Sequence, residues 1–242
     1  MFKFLKKIMN DEEVNLANDA YSFHRVLKTD IKKDPNLEED EIIFGCGCFW
    51  GAEKCFWKLP GVVTTSVGYA GGEKNNPTYY EVCSGLTGHS EVVRVIWDKR
   101  EIDVSDLLKM FWECHDPTQK NRQGNDMGTQ YRSAIYYRNE NNQKIILASK
   151  EQYQKELNKK NLGLIETEIK VIDKYFYAEQ YHQQYLASPG SRQYCSASPT
   201  KVKLGNFTGS KYKLNDNIWE KFNWEVDKCV LRSDNNPIKK TI

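Results

Sequence analysis

Cys48 stands in the run Gly-Cys-Phe-Trp-Gly at positions 47–51, where a strand-like pattern changes to a helix-like one. If the helix begins at Phe49, the sulfur of Cys48 lies at a helix amino terminus. Unpaired N–H groups and the helix macrodipole there lower the pKa of a thiol from about 8.5, and the flanking glycines let a substrate come close. The pattern indicates a reactive thiol, and it leaves open an unreactive cysteine that only fills space at a turn.

Two aromatic residues follow the cysteine directly. Phe49 and Trp50 would form an apolar pocket that holds a small alkyl group beside the sulfur. Ordinary packing is the competing interpretation, and it suits Phe49 better than Trp50. Phe49 lies on the apolar stripe of the predicted helix, whereas Trp50 does not.

The elements that must position Cys48 are predicted from hydrophobic periodicity. Their order is strand, helix, strand, strand, helix, strand, helix, strand, followed by one more helix, and no unit of 20 to 50 residues is repeated. This order predicts an α+β fold, a two-layer sandwich of a mixed sheet with helices packed on it. Strands are predicted at 42–44, 62–69, 91–97, 131–137 and 165–171, and helices at 49–59, 107–114, 143–159 and 175–186.

Three domains or segments are expected along the chain. Residues 1–40 form an amino-terminal extension with a helix opened by the capping-box spacing of Asn10 and Glu13. Residues 41–200 form the catalytic domain. Its polar loop over 115–130 is long enough to be functional. Residues 201–242 form a carboxyl-terminal extension, with one short helix around Trp219, Phe222 and Trp224.

Charge and cysteine content exclude several classes of protein. The 242 residues carry 35 Lys and Arg against 33 Asp and Glu, and this balance gives no electrostatic basis for binding nucleic acid or an anionic membrane. Seven scattered cysteines do not form the framework of a disulfide-rich secreted domain. No signal peptide or apolar span of roughly 18 residues is present. A cytoplasmic protein without metal or membrane partners is expected.

A series of ordered motifs resembles the peptide methionine sulfoxide reductases of the A type. The resemblance covers roughly residues 41–195, and so many motifs in one order are far more specific than a single short motif. The matching segments are Gly47–Gly51, Gly61–Val63, Val67–Gly72, Tyr80–Gly85, Gly88–Val93, His115–Thr118, Asn121–Asp126, Gly128–Ser133 and Tyr181–Leu186.

The resemblance implies a ferredoxin-like arrangement and the reduction of methionine S-sulfoxide, free or in proteins. A thiolate at Cys48 would attack the sulfoxide sulfur, and Glu91 would donate a proton to the oxygen, since a carboxyl near aromatic walls has a raised pKa. Tyr69 and Tyr131 would bind the oxygen and enclose the methyl group. Asp126 would help to organise the site, although a turn-forming aspartate is the alternative.

The resemblance also implies how the enzyme is recycled. The sulfenic acid left on Cys48 would be resolved as a disulfide by Cys195, and thioredoxin, as an external reductant with no bound cofactor, would reduce that disulfide. The family often surrounds this cysteine with glycines, whereas here Tyr194 and Ser196 flank it. Cys229 could relay the disulfide outward. A monomer is expected, with thioredoxin and oxidised proteins as partners.

Two other classes of function remain as alternatives. A cysteine hydrolase would pair Cys48 with His89 or His182 as the general base. A zinc-binding module would use Cys46 and Cys48 with further thiols. No second pair of ligands has the spacing of a structural zinc site, which disfavours the zinc module.

Overall fold

The computed structural model describes residues 22–226 and 229–240, and the side chain of Cys229 lies outside this description. Eight strands occur in it. Six of them form one mixed sheet, and the other two form a separate hairpin. The strands are β1 (Glu39–Cys46), β2 (Val62–Ala70), β3 (Ser90–Asp98), β4 (Arg122–Gln123), β5 (Asp126–Met127), β6 (Ser133–Tyr137), β7 (Glu168–Val171) and β8 (Tyr175–Tyr177).

The order of the main sheet is β7-β6-β1-β3-β2-β8. Neighbouring strands are antiparallel, except for the parallel pair β6 and β7. The helices are α1 (Phe49–Trp57), α2 (Tyr79–Cys83), α3 (Val104–Cys114), α4 (Asn142–Lys159), α5 (Asp216–Trp219) and α6 (Cys229–Arg232). Because α1 connects β1 to β2 and α3 connects β3 to β6, the four central strands have the ferredoxin-like β-α-β-β-α-β connectivity.

The two faces of the sheet carry separate apolar clusters. On the helix-covered face, the ring of Phe44 in β1 stacks on Phe56 of α1 at 4.8 Å and on Phe111 of α3 at 5.1 Å. The neighbouring residue, Ile43, points to the opposite face, where it joins a smaller cluster with Val92. This alternation is the period of two expected for a strand. The predicted α+β fold with helices on a mixed sheet is confirmed.

The predicted helix over 175–186 is wrong. Residues Tyr175–Tyr177 form the edge strand β8, in which Tyr177 pairs with Gly68 of β2. Two 3₁₀ turns follow, and between them Gln184 has a left-handed backbone with φ 46°. The local pattern was compatible with a helix, but pairing with the open edge of β2 satisfies the backbone groups instead.

Several boundaries also differ from the prediction. Helix α3 begins at Val104 rather than at the predicted residue 107, and its cap is Asp103, whose carboxylate accepts a hydrogen bond from the Ser105 N–H at 2.9 Å. Tyr131 ends a 3₁₀ turn, and the strand predicted to begin there begins at Ser133. The short helix α2, capped by Thr78, was not predicted. The loop over 115–130 contains the β4-β5 hairpin.

Both extensions contact helix α1. His24 is hydrogen-bonded to Thr65 at 2.8 Å, and Thr65 donates to Glu53 of α1 at 2.9 Å. On the carboxyl-terminal side, Lys54 and Lys58 donate to backbone carbonyls of residues 233–236. The helix predicted at Asn10 and Glu13 lies outside the described residues. In the part of the chain that is described, no helix is long and apolar enough to cross a membrane.

Candidate active site

Cys48 occupies the residue immediately before α1, as predicted, with φ −55° and ψ 122°. Gly47 precedes it in a left-handed conformation, φ 87°, and a Cβ there would lie 2.5 Å from the Cβ of Gln123. Glycine is therefore required at this turn. The predicted lowering of the Cys48 pKa is wrong. Burial, and then the nearby charge of Glu91, raise that pKa well above its ordinary value despite the backbone N–H of Trp50.

Glu91 lies at the start of β3 and is 2% exposed. Its carboxylate accepts a hydrogen bond from the backbone N–H of Phe49 at 3.1 Å, so it sits at the peptide that follows Cys48. Burial raises the pKa of Glu91 to about 8, and the Phe49 N–H opposes part of that shift. The carboxyl therefore carries a proton at neutral pH, as expected for a general acid.

Tyr69 is directly opposite Glu91 in the β2-β3 register. Its hydroxyl donates to the carboxylate of Glu179 at 2.8 Å. The other oxygen of Glu179 accepts the backbone N–H of Tyr79 at 2.8 Å, so one carboxylate joins the β2 edge to α2. Burial, and then the Glu179 charge, raise the pKa of Tyr69. Its hydroxyl is therefore a neutral hydrogen-bonding group.

An aromatic wall stands beside the first turn of α1. The indole of Trp50 stacks on Tyr185 with ring centroids 4.0 Å apart, and its N–H donates to Nδ1 of His182 at 3.1 Å. The ring of Phe49 lies 5.1 Å from that of His182 and 6.1 Å from that of Tyr69. These rings form an apolar surface beside Cys48 of the kind that suits a methyl thioether.

Tyr131 is half-buried in the 3₁₀ turn Thr129–Tyr131. Burial raises its pKa, and the charges of Glu91 and Cys48 act in the same direction, which puts its hydroxyl near both groups. The turn follows Gly128, whose φ is 141°. Tyr131 therefore joins Glu91 and Cys48 from a segment distant in sequence.

Asp126 is bound to the residues on both sides of Cys195. Its carboxylate accepts a hydrogen bond from the hydroxyl of Tyr194 at 2.6 Å and another from the hydroxyl of Ser196. Gln123 accepts the backbone N–H of Ser198 at 3.0 Å. The β4-β5 hairpin thus holds the segment that contains Cys195.

Cys195 packs against α1, the helix that Cys48 precedes. A Cβ built on Gly51 would lie 2.6 Å from the Cys195 sulfur. The charge of Cys195 also contributes to the raised pKa of Cys48, so the two thiols are electrostatic neighbours. Cys48 and Cys195 thus both lie at the first turn of α1. The side chain of Cys229, the suggested relay, lies outside the described residues.

Neither histidine of the hydrolase alternative is arranged as a base for Cys48. His89 is held by the N–H of Gly72 at 3.1 Å and the carbonyl of Lys74 at 2.7 Å. His182 faces Trp50, and burial lowers its pKa to about 3. In the described part of the chain, neither ring forms a hydrogen bond with Cys48.

The zinc site that the other alternative places on Cys46 and Cys48 is not formed either. The close group of potential ligands found among the described residues consists of Cys46, Cys114 and His115, and Cys48 is not a member. Cys48 and Cys46 are separated by the left-handed turn at Gly47, which directs them to different neighbours. Cys48 has Glu91 as a neighbour, whereas Cys46 has Cys114 as a neighbour.

Sequence reasoning missed several groups that complete the site. Glu179 was not singled out, although it bonds to Tyr69 and α2. His182 was considered only as a base, whereas it supports Trp50. The hydroxyls of Tyr194 and Ser196 were present beside Cys195 in the sequence, and their pairing with Asp126 is visible only in three dimensions.

A thiol at a helix start, a buried and protonated carboxyl beside it, and a second thiol packed against the same helix define a thiol-dependent reductase. Comparisons with known proteins agree. A family model described as peptide methionine sulfoxide reductase matches residues 40–214. The chain belongs to this family and is an oxidoreductase that reduces methionine S-sulfoxide.

Individual relatives cover most of the chain. The peptide methionine sulfoxide reductase MsrA of Vibrio vulnificus is 52% identical over 202 residues, which are 81% of this chain and 96% of the relative. The MsrA of Azotobacter vinelandii is 58% identical, over 68% of this chain and 76% of the relative. Among solved structures, methionine sulfoxide reductase A of Corynebacterium diphtheriae superposes with a TM-score of 0.64 at 43% identity. It covers 75% of this chain and 88% of that one.

Proposed function

We propose that Cys48 attacks the sulfur of a methionine sulfoxide while Glu91 protonates the oxygen. The single observation that carries this assignment is the 3.1 Å hydrogen bond from the Phe49 N–H to Glu91. It holds a buried carboxyl at the peptide next to the nucleophile. With a pKa of about 8, Glu91 has a proton to donate at neutral pH.

The protons balance if Glu91 acts as a shuttle. The raised pKa of Cys48 means that the resting group is a thiol. Glu91 gives its proton to the sulfoxide oxygen as a bond forms between the Cys48 sulfur and the substrate sulfur. The Glu91 carboxylate then accepts the thiol proton. The S–O bond of the substrate and the transient bond between the two sulfurs then break as the hydroxyl passes to the Cys48 sulfur, so that methionine leaves reduced and Cys48 is oxidised to a sulfenic acid. No net proton is consumed in this half-reaction.

Phe49, Trp50, Tyr69 and Tyr131 bind the substrate in this proposal. The aromatic wall encloses the methyl group and excludes water, which strengthens the hydrogen bonds to the sulfoxide oxygen. Tyr131 supplies a hydroxyl to that oxygen. Tyr69 is held by Glu179 and supports the floor of the pocket next to Glu91.

Cys195 resolves the sulfenic acid. Its thiol attacks the sulfur of oxidised Cys48, a disulfide forms, and water leaves. Two observations support this role, because both keep the second thiol near the first. Cys195 packs on Gly51, and the hydroxyls of Tyr194 and Ser196 donate hydrogen bonds to Asp126. Asp126 is accordingly a positioning residue for resolution rather than a group that acts on the sulfoxide.

A thioredoxin-type dithiol then reduces the disulfide and regenerates both thiols. We expect thioredoxin and oxidised proteins that carry methionine sulfoxide as partners, with the enzyme acting as a monomer in the reducing cytoplasm. Such a compartment keeps a dithiol reductant available, and seven cysteines in this chain are compatible with it. No bound cofactor is needed for these thiol exchanges.

Residues 41–200 form the catalytic domain in this proposal, and residues 201–242 brace it. Hydrogen bonds from Lys54 and Lys58 to carbonyls of the tail support the bracing role. Trp57 adds a fourth bond, from its indole N–H to the Asn235 carbonyl at 3.0 Å. All three donors belong to α1 or its carboxyl-terminal end.

Two variants test the proposal. Cys48→Ser should abolish sulfoxide reduction. Cys195→Ser should form one methionine per enzyme in a rapid-quench experiment and should then fail to cycle with thioredoxin. Mass spectrometry of wild-type protein after one equivalent of sulfoxide should find a Cys48–Cys195 disulfide. Full cycling by Cys195→Ser would refute the resolving role, and reduction by Cys48→Ser would refute the nucleophile.

A further inference from the structure

A chain of buried hydrogen bonds joins the amino-terminal segment to helix α1. His24 bonds to the hydroxyl of Thr65 in β2 at 2.8 Å, and that hydroxyl donates to the carboxylate of Glu53 in α1 at 2.9 Å. His24, Thr65 and Glu53 are each 0% exposed. None of them takes part in the sulfoxide chemistry, yet burying polar side chains is unfavourable unless each of them is hydrogen-bonded.

The neighbours of the His24 ring fix the direction of these hydrogen bonds. Its Nδ1 accepts the backbone N–H groups of Val26 at 3.1 Å and Leu27 at 3.0 Å, so the ring proton lies on Nε2. Burial lowers the pKa of His24 to about 3, which keeps the ring neutral. The Nε2–H group therefore donates to Thr65, and the Thr65 hydroxyl uses its own proton for Glu53.

A second route from the same segment reaches Glu53 through Gln184. The backbone N–H of Arg25 donates to the side-chain oxygen of Gln184 at 3.3 Å, and the side-chain amide of Gln184 donates to Glu53 at 2.7 Å. The backbone N–H of Gln184 donates to the other oxygen of Glu53 at 2.8 Å. Glu53 thus accepts two hydrogen bonds from Gln184 in addition to the one from Thr65.

Gln184 lies between the two residues that hold Trp50 in the aromatic wall. His182 accepts the indole N–H of Trp50, and Tyr185 stacks on the indole ring. The backbone of Gln184 is left-handed, with φ 46° and ψ 42°, a conformation that is unfavourable for a residue with a side chain. Its hydrogen bonds to Glu53 support this conformation. Glu53 comes three residues after Trp50, so both lie on one face of α1.

The carboxylate of Glu53 depends on its donors to stay ionised in the interior. Burial raises the pKa of Glu53 to about 7, and the hydrogen bonds from Gln184 and Thr65 oppose this increase. Without His24, the Thr65 hydroxyl loses the donor that orients it toward Glu53. A carboxyl that has lost a donor takes up a proton more readily, and it then holds Gln184 more weakly because hydrogen bonds to a charged group are stronger.

We propose that the amino-terminal segment positions the aromatic wall, with His24 as the positioning residue. The segment orients the donors of Glu53, Glu53 holds the left-handed turn at Gln184, and this turn holds the rings beside Trp50. His24 does not touch the sulfoxide, but it sets the shape of the surface that receives the methyl group. This positioning role rests on the proposed part of the aromatic wall in substrate binding.

Single-turnover kinetics of full-length His24→Ala test this role. The sulfoxide concentration that gives half the limiting rate should rise by roughly two- to tenfold, which corresponds to the loss of one hydrogen bond. The limiting rate should stay within about twofold of the wild type, because the chemical groups at Cys48 and Glu91 are unchanged. The NMR resonance of the Trp50 indole N–H should also shift, since that group donates to His182.

Thr29→Val is the matched control. The Thr29 hydroxyl also ties the segment to β2, by donating to the Val63 carbonyl at 2.8 Å, and among the described residues it has no bond to Glu53 or Gln184. Its half-saturating concentration and its Trp50 resonance should equal those of the wild type. Thr65→Val keeps the branched shape and removes the hydroxyl, so it should reproduce the effects of His24→Ala and serves if His24→Ala unfolds. Near-ultraviolet circular dichroism confirms that each variant is folded.

Wild-type half-saturation and an unmoved Trp50 resonance in folded His24→Ala or Thr65→Val would overturn the positioning role. Equal effects of Thr29→Val and His24→Ala would also overturn it, because general docking of the segment would then be responsible. Trp50→Ala tests the proposed function separately. Normal half-saturation in Trp50→Ala would contradict the aromatic wall itself, whereas an increase there beside a normal His24→Ala would contradict only the role of His24.

Discussion

Gly51 of α1 and Cys195 of the carboxyl-terminal segment are in direct contact, so that a Cβ on Gly51 would lie 2.6 Å from the Cys195 sulfur and 3.3 Å from its Cβ. Gly51 is the third residue after Cys48. The second thiol is therefore seated on the first turn of the helix whose start carries the first thiol. The space that glycine leaves in this turn is what permits the two sulfurs to be neighbours.

Gly51→Ala should slow disulfide formation while leaving the first turnover active. The added methyl group must displace Cys195, because approaches below 3.0 Å are not tolerated by real Cβ atoms. Alanine otherwise favours a helix by about 1 kcal/mol over glycine, so the fold should be preserved. Rapid-quench measurement of methionine and of lost thiols separates the two steps.

Gly163→Ala is the control for this substitution. Its added Cβ would meet Thr118 at 3.4 Å, an ordinary van der Waals distance, and its backbone is not left-handed. Disulfide formation in this variant should match the wild type. If Gly51→Ala formed the disulfide at the wild-type rate, the contact between Cys195 and α1 would be irrelevant to resolution.

The double variant Tyr194→Phe with Ser196→Ala should also impair resolution. Both hydroxyls donate to Asp126, and their loss frees the segment that carries Cys195. Each hydrogen bond to a charged group contributes about 1.5 to 3 kcal/mol, so a fall of roughly tenfold or more in the rate of disulfide formation is expected.

Ser191→Ala offers a comparison in the same segment, because among the described residues the Ser191 hydroxyl bonds only to Gln193. The yield of the first turnover should be normal in all these variants. If Asp126 instead acts on the sulfoxide, the double variant will resolve normally and Asp126→Asn will lose the first turnover. That pattern would contradict the positioning role.

The pH dependence of the first turnover should report Glu91. The acid form is needed, and the pKa of Glu91 is about 8, so the rate should be flat below that pH and fall about tenfold per unit above it. Single-turnover rates from pH 6 to pH 10 measure this profile. A rate that instead rises between pH 6 and pH 8 would indicate a preformed thiolate at Cys48.

In Glu91→Gln, the fall in single-turnover rate at high pH should disappear. The rate itself should be lower by a factor of roughly 10² to 10⁴, the usual contribution of a positioned acid. The amide oxygen can still accept the Phe49 N–H, so the local structure is preserved. A variant with near-normal rate would remove Glu91 from the mechanism.

Lys58→Met should loosen the tail from α1. Lys58 is 4% exposed, and its ammonium donates to the carbonyls of Asp234 and Asn236 at 2.9 and 3.0 Å. The loss of these bonds should cost about 1 to 3 kcal/mol in the free energy of unfolding and should increase proteolysis beyond residue 228. Urea denaturation and limited proteolysis measure the two effects.

Lys174→Met is the exposed counterpart, because within the described part of the chain Lys174 bonds only to the side chain of Asn75. Its free energy of unfolding should stay within about 0.5 kcal/mol of the wild type. Equal stabilities of the Lys58 and Lys174 variants would mean that the tail does not brace the catalytic helix.

Much of the fold could be predicted from the sequence, because the strands around Cys48 have strong apolar patterns. The strand predicted at 91–97 corresponds to β3, which is buried throughout except at Asp98. Residues 175–186 could not be predicted in this way. Their local pattern fitted a helix, and only the exposed edge of β2 turned part of them into β8.

The sequence by itself determined the nucleophile candidate, the family and the α+β class, since these follow from adjacent residues and from motifs in order. The tertiary structure decided the pKa values and the contacts of these groups. It raised the pKa of Cys48 where the helix start alone predicted a lowered value. It also seated Cys195 on Gly51 and joined Asp126 to Ser196. Burial and hydrogen bonds between distant segments depend on the packed chain, which no local pattern contains.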